Sequence, residues 1–351
     1  MDSGRPRAVD LSETALAQGP QALNTAATSA HTHSSLAVCI CTFRRPEGLR
    51  CLLKGLDKQI FSAVPTPSIC LIVVDNSLEG DASEACQTGE WAWPLQYLHE
   101  PRPGISHARN MTLAAVPAGT DFIAMIDDDE IPDPDWLDQL LDTQLKSGAD
   151  IVVGRTTPVF PAKTPNWVSG SGFFPKPQNP DTLRELDSDP PAATCNVLVR
   201  ATLFDDSAAS FDTALALSGG EDKLLFQSFK LSGYKFAWAA NAHVRESIPA
   251  ERANFIYMWR ESYRRGCVKY FVKRRLKSRS ALRSLWIAIR LSVYSLGRIG
   301  RDLLGAILAC LGHHGHRGWV PHALNVADSL GTIAGVLQIP NRHYRPKRFE
   351  C

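Results

Sequence analysis

Residues 122–130 read FIAMIDDDE, and this stretch bears on both the fold and the chemistry. Its first half is short and fully apolar, which is typical of a strand buried on both faces of a parallel sheet. Asp127, Asp128 and Asp129 follow where that strand ends. Adjacent carboxylates repel one another, so the run indicates a bound cation, and Mn²⁺ or Mg²⁺ is expected because hard cations favour carboxylate oxygens. An acidic turn without a ligand is the alternative.

Strands and helices alternate on both sides of this stretch. Further strands are predicted for LAVCICTF, ICLIVVDNS, LQYLHE and ADIVVGRTTPVF, and helices are predicted to begin at Pro46, Gly104 and Pro134. Beyond them, TCNVLVR and YKFAWAANAHV predict strands on either side of a helix in GGEDKLLFQSFKLSG. The order predicts an α/β domain over residues 36–250, with helices flanking a mainly parallel central sheet.

Polar residues follow two more of these strands at the end where ligands of parallel sheets collect. Asp75 and Asn76 follow one strand, and their acceptor and donor groups suit a base or a ribose. Thr42, Arg44 and Arg45 follow another, where cations suit a phosphate. We therefore expect acidic and basic groups to meet at one edge of the sheet.

Two later segments stand out. Asp222 lies in GGED at the start of a predicted helix, where a carboxylate suits the positive end of the helix dipole. The proline-rich stretch 158–191 predicts a long loop that either covers a site or binds an acceptor, or is a simple surface excursion.

Composition narrows the classes of function. The net charge is +2, which gives no indication of a nucleic-acid partner. The nine cysteines are scattered and form no CxxC pair, which favours buried thiols in a reducing compartment over a zinc site or a disulfide framework. Residues 1–35 lack the sustained apolar run of a secretory signal and are expected to form a disordered tail.

The C-terminal region, residues 251–351, has a different character. Residues 260–283 contain ten Lys or Arg and one acid, Glu261, with aromatic and aliphatic residues between them. Such a segment suits an anionic lipid surface. The apolar stretches that follow are interrupted by charges, so we expect amphipathic helices lying on a membrane surface rather than a spanning helix. A solvated helix face is the alternative.

Five motifs, in order, resemble the family 2 glycosyltransferases with a GT-A fold: CTFRRP, VVDNS, PGISHARN, IDDDEIPDPDWL and GGED. The stretches TCN, SGGED and AHVRE are similar to those of bacterial exopolysaccharide glucosyltransferases of the succinoglycan type. This resemblance covers residues 36–250. It implies an inverting transfer of a hexose from a UDP-sugar and a divalent metal. From the C-terminal region we further expect a peripheral position at the cytoplasmic face of a bacterial inner membrane, which suits a lipid-linked or saccharide acceptor.

The resemblance also implies roles around the nucleotide. Asp75 would contact the base, Thr42 and Arg45 would lie near the uridine with Asn76 beside them, and Arg109 would line the nucleotide pocket.

For the metal and the reaction, Asp127 and Asp129 match the outer residues of a DxD motif, with Asp129 as the metal ligand. Asp128 is also an aspartate and could substitute for either of them. His243 matches a metal-binding histidine found in some relatives, and a structural histidine is the alternative. Asp222 matches the family's catalytic base.

Two other functions remain open from the sequence. A cytidylyl- or uridylyltransferase would need a phosphate loop rich in glycine and lysine, which CTFRRPEG matches poorly. A non-catalytic scaffold that keeps the fold within a polysaccharide-assembly complex is the second. The intact aspartate run, GGED and His243 favour an enzyme.

Overall fold

A computed structural model describes residues 34–174, 193–205, 209–278, 280–311 and 316–339. Its strands are β1 Ser35–Thr42, β2 Ser68–Asp75, β3 Leu95–His99, β4 Phe122–Asp127, β5 Glu130–Pro132, β6 Ile151–Val159, β7 Asn196–Arg200 and β8 Phe236–Ser247. Its α-helices are α1 Pro46–Leu56, α2 Ser83–Gln87, α3 Ile105–Ala114, α4 Trp136–Ser147, α5 Asn166–Ser169, α6 Glu221–Leu231, α7 Phe255–Lys277, α8 Ala281–Leu311 and α9 His316–Val336.

The strands form one sheet in the order β3-β2-β1-β4-β7-β6-β8-β5. The first four strands are parallel to one another, as their apolar runs predict. The other half is mixed, because β7 runs antiparallel to β4 and β6, and β5 runs antiparallel to β8. The parallel half brings the carboxyl ends of β1, β2 and β4 to one edge.

Helices cover both faces of the sheet. On α1, Leu49, Leu52, Leu53 and Leu56 recur at helical spacing and are fully buried against one face. On the opposite face, aromatic residues of α6 such as Phe226 pack against the outward side chains of the same strands. Because both faces are covered, the central strands are apolar throughout, and polar residues are confined to their ends.

The three C-terminal helices pack together, and α7 and α9 are in close backbone contact. A side chain at Gly331 or Gly335 of α9 would collide with the backbone of α7 at Tyr263 or Cys267. Gly266 of α7 lies equally close to the backbone of α9 at Asp328. Among the described residues, no helix is both long enough and apolar enough to cross a membrane.

Two predictions fall largely outside the described residues. Residues 1–33 of the predicted tail are not described, whereas Ser35 already begins β1. Residues 175–192 of the proline-rich stretch are likewise outside. Its described part continues β6 to Val159 and then forms the short helix α5. The division of the chain at residues 36 and 250 stays a prediction.

Candidate active site

The strand ends named from the sequence meet at one edge of the sheet. Thr42 is in register with Asp75, and Cys41 is in register with Asp127. This edge opens into a cavity of about 550 Å³. Its walls include seven of the predicted site residues: Thr42, Arg45, Asn76, Arg109 and Asp127–Asp129.

The middle aspartate of the run holds the first loop in place. Asp128 is buried and accepts hydrogen bonds from the hydroxyl of Thr42 (2.8 Å) and from Arg45 (2.9 Å). Gly48 of α1 lies so close that a Cβ there would come within 2.6 Å of the Asp128 carbonyl oxygen. Burial raises the pKa of Asp128, and the Arg45 guanidinium opposes that rise. The side chain of Asp128 therefore faces the β1–α1 loop.

Asp129 is held by two arginines from distant parts of the chain. Arg45, which precedes α1, contacts its Oδ2 at 2.7 Å, and Arg252, which precedes α7, contacts the same oxygen at 3.1 Å. The sequence analysis identified Arg45 but missed Arg252. Both guanidinium groups line the cavity, so they can also face an anionic ligand there.

Arg109 links the aspartate run to the start of α6. Its guanidinium is nine-tenths buried, lies 3.5 Å from Asp127 and forms an ion pair with Glu221. Although burial alone would lower the pKa of Arg109, Glu221 and Asp127 raise it, so the guanidinium stays charged. The Oε2 atom of Glu221 has no hydrogen-bond partner among the described residues. The two sequence motifs are thus joined by a buried ion pair.

Asp222 follows Glu221 in the first turn of α6. Its Oδ1 accepts a hydrogen bond from the backbone N–H of Lys223 at 2.6 Å, and its side chain is half-buried. Gly219 and Gly220 before it both have positive φ, 75° and 90°, which other residues rarely adopt. A Cβ on Gly219 would meet Arg264 of α7. The glycines therefore let this turn approach α7, while Asp222 stays beside the cavity rather than among its lining residues.

A fourth carboxylate faces the aspartate run from β8. Glu246 pairs in register with Glu130 of β5 and lines the cavity. Burial and the nearby Asp129 and Asp127 raise the pKa of Glu246 to about 7, with Arg252 opposing. Burial, with Asp129 and Asp128 adding to it, raises the pKa of Asp127 to about 6 against the effect of Arg109. Burial and neighbouring carboxylates therefore both disfavour the charged form of these two groups.

These carboxylates could hold a divalent cation only together with oxygen ligands from outside the protein. Within the described part of the chain, no three His, Cys, Asp or Glu side chains converge closely enough to hold a metal ion by themselves. A cation such as Mg²⁺ commonly takes only one or two carboxylates and completes its shell with phosphate oxygens and waters. The raised pKa values of Asp127 and Glu246 are the signature of carboxyls that a cation would favour.

His243 lies elsewhere on β8. Its Nδ1 is 2.7 Å from Asp133, and its Nε2 is 2.9 Å from the hydroxyl of Thr157. Asp133 also binds Arg245 at 2.5 Å. The structure thus brings His243 together with Asp133 and not with Asp129, and both of its ring nitrogens are engaged. The role of His243 as a metal ligand stays a prediction.

The two residues at the end of β2 have structural contacts. Asp75 is fully buried and accepts hydrogen bonds from the backbone N–H groups of Ser77 (2.8 Å) and Ala82 (2.7 Å). Asn76 lines the cavity, and its amide donates to the carbonyl oxygens of Glu100 and Arg102 at 2.7 Å each. These bonds fix the loops on which a base would lie. Direct contact of Asp75 with a base stays a prediction.

Helix α7 contributes to the cavity, which the sequence did not predict. Tyr257, Glu261 and Arg264 line it, together with Arg252 just before the helix. Arg264 pairs with Glu261 at 2.5 Å and donates to the carbonyl of Ser218, which precedes the GGED turn. The only signal was the isolated acid Glu261 within a basic segment, which marks a charge that the fold has to neutralise internally.

Comparison with known proteins identifies the fold and the family. Residues 37–206 match the model of the family described as "Glycosyl transferase family 2". The chain is 31% identical over 230 residues to the succinoglycan biosynthesis protein ExoM of Rhizobium meliloti (strain 1021), covering 65% of this chain and 71% of that protein. It is 29% identical over 143 residues to a glucosyl-dolichyl phosphate glucuronosyltransferase of Haloferax volcanii, covering 40% and 42%.

A solved structure agrees with the predicted fold class. The mannosyltransferase PcManGT from Pyrobaculum calidifontis, solved in complex with GDP-Man and Mn²⁺, superposes with a TM-score of 0.56. The match covers 88% of each chain at 16% identity, so it speaks for the fold alone. The GT-A fold expected from the motifs is confirmed, and the chain belongs to the family 2 glycosyltransferases.

Proposed function

We propose that this glycosyltransferase binds a UDP-sugar, with a hexose such as glucose, in the cavity at the carboxyl ends of β1, β2 and β4. The observation that carries the proposal is the shared edge of acidic and basic groups. Asp127, Asp129 and Glu246 supply oxygens for a cation, while Arg45 and Arg252 lie 2.7 and 3.1 Å from the same Asp129 oxygen. A nucleoside diphosphate needs both kinds of group. The solved mannosyltransferase carries a nucleotide sugar with Mn²⁺, which supports a divalent cation here.

Asp129 is the proposed metal ligand, with Asp127 and Glu246 as the nearest further carboxylates. When bound, Mn²⁺ or Mg²⁺ supplies a Lewis acid that neutralises the diphosphate as it leaves. The run itself prepares this arrangement, because Asp128 is committed to Thr42 and Arg45 and so leaves its two neighbours facing the cavity. Arg109 holds Asp127 in place through an ion pair.

Asp222 is the proposed catalytic base of a single displacement. Its carboxylate takes the proton of the acceptor hydroxyl while the hydroxyl oxygen bonds to the anomeric carbon. The bond from that carbon to the diphosphate oxygen breaks on the opposite face, and the configuration inverts. The Arg109–Glu221 ion pair supports this role because it fixes the first turn of α6 relative to Asp127.

The acceptor is proposed to be a lipid-linked saccharide in the synthesis of a cell-surface polysaccharide, at the cytoplasmic face of a bacterial inner membrane. The relative from Rhizobium meliloti is named for succinoglycan biosynthesis, and the relative from Haloferax volcanii is named for a dolichyl phosphate substrate. The first name supports a polysaccharide product, and the second supports a lipid-linked acceptor.

Two measurements test the proposal. Calorimetry with UDP, and with GDP as the matched control nucleotide, is performed with and without Mn²⁺. We expect UDP to bind in the presence of the metal and GDP to bind more weakly. Release of UDP from a panel of UDP-sugars then reports the donor sugar. If well-folded protein binds UDP but releases none from any donor, with or without saccharide acceptors, the non-catalytic scaffold is the better description.

A further inference from the structure

The outer face of α8 has no role in the proposed transfer reaction. Large apolar side chains on it are at least half exposed and recur every three or four residues along the helix: Leu282, Leu285, Trp286, Ile289, Val293, Leu296, Leu303, Leu304, Ile307 and Leu311. At about 100° per residue they fall within an arc of roughly 100°. We call this row the apolar stripe. The opposite side of α8, with Ile287 and Leu291, packs inward.

The apolar stripe is continuous and long. No charged residue falls within its arc, and Gly300 occupies the one turn without a large side chain. The helix has 31 residues, which corresponds to a length of about 46 Å. Exposed apolar surface of this extent on a soluble domain marks a site of interaction with a protein or a membrane.

Arginines flank the apolar stripe along one side. Arg283, Arg290 and Arg301 are exposed and lie about 100° from its centre on the helix. Arg290 also lies over the ring of Trp286, 5.2 Å from its centroid. The only acid in α8 is Asp302, which is buried beneath Arg301 and His322. The exposed side of the helix therefore carries positive charge without negative charge.

The end of α7 extends this positive flank. Lys273, Arg274 and Lys277 are exposed there, shortly before α8 begins. Partial burial of the Lys273 ammonium lowers its pKa, and the neighbouring cations Lys269, Lys277 and Arg290 lower it further. Cations of both helices therefore lie close enough to repel one another. An anionic surface would relieve this repulsion.

We propose that α8 lies in the headgroup region of an anionic bilayer, with the apolar stripe inserted and the arginine flank on lipid phosphates. A helix with one apolar face and one basic flank is suited to the plane of a membrane interface. A second copy of this chain suits the stripe less well, because the exposed side of α8 offers its arginines no carboxylate. Lipid headgroups supply that negative charge.

The proposal also agrees with the position of the donor cavity. The helix α7 lines the cavity through Tyr257 and Arg264, and its far end leads into α8. A bilayer bound at α8 is thus connected to the cavity by one rigid helix. In this respect the inference rests on the proposed lipid-linked acceptor, although binding to lipid requires neither donor nor acceptor.

Co-sedimentation of the full chain with vesicles tests the surface directly. Vesicles contain phosphatidylcholine alone or mixed with phosphatidylglycerol, and no nucleotide is present. We expect strong binding to the mixed vesicles and weak binding to vesicles of phosphatidylcholine alone. High salt should weaken binding to the mixed vesicles only in part, because the contribution of the apolar stripe does not depend on charge. Failure of the parent protein to bind the mixed vesicles overturns the proposal.

Two variants separate the stripe from the flank. Replacement of Ile289, Leu303 and Ile307 by Ser removes apolar side chains that are more than half exposed, and it should weaken binding to mixed vesicles by about a hundredfold or more. Leu145→Ser with Leu231→Ser, at exposed positions on α4 and α6, is the matched control and should leave binding unchanged. Equal binding by the stripe variant and this control overturns the proposal.

For the flank, Arg283→Gln with Arg290→Gln should weaken binding by about tenfold or more. The control, Lys58→Gln with Lys163→Gln, removes two exposed cations that lie outside α7 and α8 and should have no effect. Calorimetry with UDP on every variant reports the donor site separately, so a failed donor site and a failed lipid surface give different results. The proposal is contradicted if the parent protein is a dimer without lipid and the variant with three Ser replacements is a monomer. That result identifies a second copy of the chain as the partner of the apolar stripe.

Discussion

Two clusters of carboxylates in this protein are arranged in opposite ways. At the sheet edge, Asp127, Asp129 and Glu246 face a cavity. Burial, followed by neighbouring carboxylates such as Asp129, raises the pKa of Asp127 to about 6 and that of Glu246 to about 7. Between the C-terminal helices, Asp302 and Asp328 are surrounded by cations.

The helical cluster is neutralised within the protein. Asp328 contacts Lys269 at 2.5 Å and Arg298 at 2.6 Å. Asp302 contacts His322 at 2.8 Å and Arg301 at 2.9 Å. Burial alone would raise the pKa of Asp302, but hydrogen bonds from His322, Arg301 and Asn325 lower it.

The contrast distinguishes carboxylates that stabilise the fold from carboxylates that await a ligand. A buried acid with matched cations adds to stability at neutral pH, whereas an acid left short of cations reduces it until a cation binds. The same chain therefore pairs its buried acids closely with cations between the C-terminal helices, and at the sheet edge it buries Asp127 and Glu246 near other acids. Substitutions at the two clusters should have different consequences.

The largest expected effect is on turnover. Asp222→Asn removes the proposed base but keeps its size, so UDP release in the presence of acceptor should fall about 100- to 10,000-fold. The affinity for UDP should stay unchanged, because Asp222 lies beside the cavity lining. Asp142→Asn, on α4 where Asp142 pairs with Lys146, is the control. Turnover at the parental rate in Asp222→Asn would exclude this residue as the base.

The next effect is on donor binding. Asp129→Ala should weaken binding of UDP with Mn²⁺ by about a hundredfold, close to ~3 kcal/mol. Asp328→Asn also removes one negative charge, but from the helical cluster, and should leave UDP affinity unchanged while lowering the melting temperature. Calorimetry and thermal unfolding of both variants make the comparison. Equal UDP affinities in the two variants would contradict the assignment of Asp129.

The sequence predicted the sheet edge well because that edge is encoded locally. Each apolar run ends in polar residues, and parallel strands bring such ends together whatever the rest of the chain does. Asp128 illustrates the limit of this reasoning, because only the structure shows that its side chain turns to Thr42 and Arg45.

Other parts of the site could not be predicted in this way. Arg252 is 123 residues from Asp129 in the chain, and nothing in either local pattern indicates their contact. His243 matched a motif, but its partners Asp133 and Thr157 are set by the pairing of β8 with β5 and β6. Long-range pairing of this kind depends on tertiary packing, which periodicity and motifs do not report.

The third expected effect is on stability. Asp302→Asn removes a buried charge from its partners and should lower the free energy of unfolding at pH 7 by about 2 kcal/mol. Because the pKa of Asp302 is below its ordinary 3.8 in the folded state, its contribution is present above that pH and is lost as the pH falls through the folded value. The difference from the parent in urea unfolding should therefore persist at pH 5 and shrink on further acidification. Asp81→Asn, at an exposed turn, should show no such difference.

The smallest expected effect has the opposite sign. Glu246 has a pKa of about 7 in the fold against an ordinary 4.5, so its contribution to stability is present below about pH 4.5 and is lost as the pH rises through 7. In metal-free protein, Glu246→Gln should therefore raise the free energy of unfolding at pH 8 by about 1 kcal/mol and leave it nearly unchanged at pH 4.5. Glu251→Gln, exposed and nearby, should change neither. Binding of Mn²⁺ with UDP should stabilise the parent and so reduce the difference in free energy of unfolding between the parent and Glu246→Gln. If Glu246→Gln is instead less stable than the parent at pH 8, Glu246 belongs with the neutralised carboxylates.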